Sequence, residues 1–154
     1  MKRQKIRSIV LTGIVAGTLD GLAAVLMYFI STGKDPLNMF QFIASGIFGM
    51  DAFAGSVPMA IAGLLFHYPI AIGWTWLFFV TYQRLALLSR NTIILGIGYG
   101  IFIWLMMNLV VVPLSKVPSM PISTQGAATG ILILILCVGL PVSILTGRYY
   151  RNKE

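Results

Sequence analysis

Asp20 and His67 are the residues whose type and placement point to chemistry. Each lies inside a long apolar run, 8–31 for Asp20 and 57–82 for His67. A carboxylate at the centre of a bilayer costs at least about 2.5–3.5 kcal/mol on insertion scales, so Asp20 is expected to face protein and to have a partner. Its helical neighbours Gly13, Ala16, Gly17, Ala23 and Ala24 are all small. His67 is the sole histidine, and histidine is the side chain that titrates near neutral pH. Asp20 is about twelve residues into its run and His67 about ten into the next, which runs the opposite way, so at 1.5 Å per residue they reach similar depth. An Asp–His pair there is either a hydrogen-bonded fastener between helices or an ion or proton site. Asn108, in a third apolar run, is expected to hydrogen-bond between helices. Pro69 frees the carbonyl of Leu65 and is expected to bend the helix beside His67.

Other chemistry is not signalled. One histidine with no cysteine or glutamate beside it supplies too few ligands for structural zinc, so neither metal nor cofactor is expected. Cys137 is the single cysteine, which excludes an intrachain disulfide and reads as a small apolar core residue. No phosphate-binding loop, nucleophile elbow or metalloprotease helix occurs, and the scattered Ser and Thr have no second histidine as base. An enzyme is not expected.

The elements that position these residues follow from composition. Of 154 residues 58% are hydrophobic and 10% charged, and mean hydropathy is +0.90. Soluble domains are about 25% charged, so an ordinary soluble enzyme and a disordered chain are both excluded. Four runs approach or exceed the roughly 20 apolar residues that cross a bilayer, 8–31, 57–82, 92–114 and 126–146. They are continuous and do not alternate, which makes them helices and not barrel strands. The first is too long for the core of a signal peptide and reads as an uncleaved span. Ser56 and Pro58 open the second. Pro113 is expected to end the third, and Gly147 with Arg148 the fourth. Pro141 is expected to bend the fourth.

The apolar stretch 37–54, LNMFQFIASGIFGMDAFA, follows the turn signal Lys34-Asp35-Pro36 and is expected to lie on or dip into the outer face instead of crossing. The loop 115–125, with Pro118 and Pro121, is an irregular outer connection. The expected fold is all-α, a polytopic transmembrane four-helix bundle with one additional interfacial or re-entrant helix, forming a single domain over 1–154.

The net charge is +7, and its distribution fits orientation in a membrane, not nucleic-acid binding. Lys2, Arg3, Lys5, Arg7, Arg84, Arg90, Arg148, Arg151 and Lys153 fall on one side of the threading, against Lys34 and Lys116 on the other. The positive-inside rule then places both termini in the cytoplasm. Trp76, Tyr82, Tyr149 and Tyr150 stand where an inner-face aromatic belt is expected. Gly13, Gly17 and Gly21 recur every four residues, as do Gly96 with Gly100 and Gly126 with Gly130. This spacing lets helices approach closely, either within one bundle or along a homo-oligomer seam.

Five segments carry a family likeness: GIVAGTLDG at 13–21, IASGIFG at 43–49, LFHYPIAIGW at 65–74, MNLVVVPLS at 107–115 and VGLP at 138–141. Through them the chain resembles a family of small, functionally uncharacterised bacterial inner-membrane proteins with four spans, and more distantly YagU-type membrane proteins. Such relatives often carry a second histidine shortly before VGLP, where this chain has ILILILC. The resemblance implies a multi-pass inner-membrane protein and supplies no reaction. The expected function is that of a structural or accessory membrane component, with the lipid bilayer as its surroundings and a homo-oligomer or larger membrane complex as its assembly. The alternative is a small channel or proton-coupled transporter using Asp20 and His67.

Overall fold

The computed structural model describes residues 2–88, 91–118 and 123–151. They are almost entirely helical, with no strand among them. Four helices are long and apolar enough to cross a membrane. The first is α1, Lys2–Thr32, and the second is α4, Ser56–Leu88. The third span, Thr92–Leu114, comprises α5 (Thr92–Met106), a π-helical turn (Met107–Val111) and α6 (Val112–Leu114). The fourth, Thr124–Arg151, comprises α7 (Thr124–Ile133), a π-helical turn (Leu134–Gly139) and α8 (Leu140–Arg151). Between the first two spans lie α2 (Leu37–Phe48) and the single turn α3 (Asp51–Ala54).

The helices run past the apolar runs that announce them. α4 continues to Leu88 and the last helix to Arg151. Hydropathy marks the width of the bilayer, whereas charged residues with long alkyl stems continue a helix beyond it. Gly147 therefore does not end the fourth span. It is buried inside α8, and a methyl group there would stand 2.8 Å from Thr92 Cγ2. Its lack of a side chain serves close packing and not termination.

Pro113 and Pro141 occupy the same register. Each is the second residue after a π-helical turn. A proline in a helix clashes with the carbonyl four residues back. The wider π turn relieves that clash, and the backbone N–H groups of Val112 and Leu140 bond five residues back, to Met107 and Ile135. α4 is instead helical without interruption through Pro69.

α1 packs against α4 and against the fourth span, and α5 packs mainly on the fourth span. The shared core holds Ala16, Phe78, Tyr99, Ile103, Val138 and Val142. Both ends of the chain lie together. The Lys5 ammonium sits 5.9 Å from the Tyr150 ring centroid, a cation–π distance. The tyrosines there are more than a belt. Tyr150 stacks on Tyr82 and donates its hydroxyl to the Phe79 carbonyl at 3.0 Å, and Tyr149 packs on the buried Phe79. Trp76 is exposed.

The stretch 37–54 does not form a spanning helix. α2 has 12 residues, about 18 Å at 1.5 Å per residue, against roughly 30 Å of hydrocarbon. Gly49 ends it with φ 63°, a conformation natural to glycine. α2 crosses α4 at Gly63, where a side chain would collide with the Phe40 carbonyl. The buried Gln41 donates to the Ser56 carbonyl at 2.9 Å. That bond braces the corner into α4, where Ser56 takes φ 45°. At its other end α2 accepts the Lys116 N–H on the Gly46 carbonyl at 3.0 Å, so α2 ties the ends of the second and third spans together.

Candidate functional site

The seam between α1 and α4 is built on glycine. A methyl at Gly13 would come within 2.8 Å of Ile72 Cα, and one at Gly17 within 3.0 Å of Ala71 Cβ. At Gly21 it would meet His67 Nε2 at 3.3 Å. Three missing side chains on one face thus let α4 lie almost on the backbone of α1. This close approach is what carries His67 to its partners.

His67 Nε2 lies 2.8 Å from the Gly17 carbonyl oxygen. A carbonyl only accepts, so Nε2 carries the proton and donates. The same nitrogen is 4.0 Å from Asp20 Oδ2, with side-chain exposures of 11% for His67 and 22% for Asp20. Gly17 and Asp20 are three residues apart, so they share the face of α1 turned to α4. The imidazole therefore spans a helix-to-helix gap, bonded to backbone, with a carboxylate just outside hydrogen-bond length. Elsewhere along the same two helices, Thr18 Oγ1 and the Tyr68 hydroxyl lie 3.1 Å apart in an exposed contact. Gly17, Asp20 and His67 thus form one polar strip across the seam, and Thr18 with Tyr68 forms a separate, exposed contact between the same helices. That second contact was not legible in the sequence, although Tyr68 directly follows His67.

Asn108 does not join that strip. Its amide nitrogen donates to the Trp104 carbonyl at 2.9 Å, four residues back on its own helix. The π-helical turn that begins at Met107 widens the ladder there, and the Trp104 carbonyl, which accepts the Met107 N–H together with that of Ile103, takes the amide as well. Cys137 is half-buried in the other π-helical turn and is not a core residue.

The remaining glycines divide. Gly96 and Gly100 pack on the fourth span, where methyl groups would come within 3.0 Å of Leu140 Cα and 2.6 Å of Ile135 Cα. Gly139 opposes them, with space for a side chain filled by the backbone of Gly96 and Gly100. Gly130 accommodates the Trp104 indole, whose Nε1 would lie 2.9 Å from a methyl. Gly126 differs, because it sits in the first turn of α7 and donates its N–H to the capping Ser123 Oγ at 3.0 Å. Among the described residues no other helix stands within reach of a side chain there. Its four-residue spacing from Gly130 is thus a helix start and not a seam. Every close approach at Gly13, Gly17, Gly21, Gly96, Gly100 and Gly130 is made inside one chain.

Among the described residues no group of three or more His, Cys, Asp or Glu could hold a metal ion. No family model, curated protein or solved structure matches the chain.

Proposed function

We propose that this chain is a multi-pass protein of the bacterial inner membrane, with both termini cytoplasmic, acting as a structural or accessory component. One observation carries the reading: the mid-span histidine is bonded to the backbone of the neighbouring helix. His67 spends its proton on the Gly17 carbonyl, and the surrounding seam is closed by Gly13, Gly17 and Gly21. A histidine so engaged holds α1 to α4. The charge pattern supports the orientation. Arg3, Lys5, Arg7, Arg84, Arg148 and Arg151 belong to the end that carries both termini, against Lys34 and Lys116 at the other. The resemblance of its segments to small four-span inner-membrane proteins supports the same placement.

A second reading, a small proton-coupled transporter or channel, draws on the 22% exposure of Asp20 beside His67. Reconstitution separates the two. Purified protein in vesicles loaded with a pH-sensitive dye should pass protons no faster than protein-free vesicles under an imposed gradient. Flux that exceeds the blank and is lost in Asp20→Asn would replace the structural reading with the transport one. Recovery of the full chain in the soluble fraction of cells would overturn both.

A further inference from the structure

α4 and α5 follow one another in the chain yet make few contacts. Between them runs an apolar groove of about 400 Å³, lined from α4 by Leu77, Thr81 and Leu85 and from α5 by Ile94, Gly98 and Phe102, among others. That volume falls within the roughly 300–1,000 Å³ of ligand sites. Its polar atoms are already satisfied. Thr81 Oγ1 donates back to the Leu77 carbonyl at 2.8 Å, and the Tyr99 hydroxyl bonds the Trp74 carbonyl. What remains is hydrocarbon, with Gly98 open, since nothing stands within 4 Å of a side chain there.

We propose that this groove holds an acyl chain of an anionic phospholipid, whose phosphate is bound by Arg84. This rests on the membrane reading above. Arg84 follows Leu77 by seven residues and Thr81 by three, so it continues the groove-lining stripe of α4 to the end where the chain termini lie. It is exposed, and among the described residues no carboxylate lies at that end. A basic residue at the mouth of a crevice between spans is the arrangement that selects anionic headgroups. The occupant is then a phospholipid of the leaflet next to the termini, and not a second copy, which would bring another basic end against this one.

The full-length protein, delipidated in mild detergent, should be titrated by native mass spectrometry with phosphatidylglycerol and with phosphatidylcholine of the same chains. Phosphatidylglycerol should bind about fivefold more tightly, the gain that one basic residue near a membrane surface supplies. Arg84→Ala should erase that preference, with a larger loss for phosphatidylglycerol than for phosphatidylcholine, whose choline offsets the charge of its phosphate. Gly98→Leu should weaken both lipids by filling the groove. Equal binding of the two lipids by the unaltered protein would overturn the proposal. So would a preference that survives Arg84→Ala, full competition by glycerol phosphate lacking chains, or dimers that replace lipid adducts. Fractionation of the same chain into soluble or membrane material reports separately on the membrane reading.

Discussion

The imidazole Nε2 of His67 donates to the carbonyl oxygen of Gly17, at 2.8 Å, on the neighbouring helix. The contact exists because Gly21, one turn further on, has no side chain. A methyl there would meet Nε2 at 3.3 Å, a gap the ring can yield by a few tenths of an ångström. Gly21→Ala is therefore expected to cost well under the ~1–3 kcal/mol of overpacking, and Gly21→Leu to cost that amount or more. Gly73, with nothing within 4 Å of a side chain, is the control, and Gly73→Ala should leave stability unreduced. Reversible unfolding in mixed micelles measures all three.

The seam between α5 and the fourth span is less forgiving. A side chain at Gly139 would strike the backbone of Gly96, which no rotamer change relieves. Gly139→Ala is expected to destabilise by at least ~1–3 kcal/mol, because the backbones must separate. Gly126→Ala touches only the capping Ser123 hydroxyl and should cost little. Equal effects from the two substitutions in thermal unfolding would contradict this assignment of the glycines.

α2 is short and ends at Gly49, and both its flanks are expected on one side of the membrane. Cysteines introduced at Asn38 and Ala54 are expected to react with an impermeant thiol reagent added from the same side. Protection of one and labelling of the other would make the stretch a span.

The orientation has its own test. Reporter fusions after Lys116 should read periplasmic, and fusions after Arg90, which lies outside the described residues, cytoplasmic. The reverse pattern at either site would invert the threading proposed from the basic residues.

Much of the architecture was readable because the bilayer imposes it. Four runs of bilayer length, and the matched depth of Asp20 and His67 on antiparallel helices, follow from rise per residue and hydropathy alone. Contacts that depend on local backbone detail were not readable. Asn108 turns to Trp104 because a π-helical turn opens beside it, and hydropathy carries no trace of such a turn. The proline two residues beyond each π-helical turn was visible, but its register against the widened turn was not. Gly147 has the residue type of a helix end, and only the nearness of Thr92 shows that it packs instead. Gly126 shows the converse, since its spacing matched a packing motif while Ser123 makes it the start of a helix. The Gln41 bond to Ser56 joins residues whose approach depends on the turn at Gly49.

The central claim is that the mid-membrane polar pair fastens α1 to α4, and a double-mutant cycle on Asp20 and His67 tests it most directly. Asp20→Ala, His67→Ala and the double variant should be unfolded reversibly in the same micelles. Each single change is expected to destabilise, and the double to cost less than their sum by a remainder no larger than the roughly 0.6 kcal/mol that hydrogen bonds within membranes average. The coupling should be modest, because at 4.0 Å the carboxylate stands outside the bond that His67 makes to Gly17. Single effects that sum without remainder would mean that the two side chains do not act together, and would contradict the account.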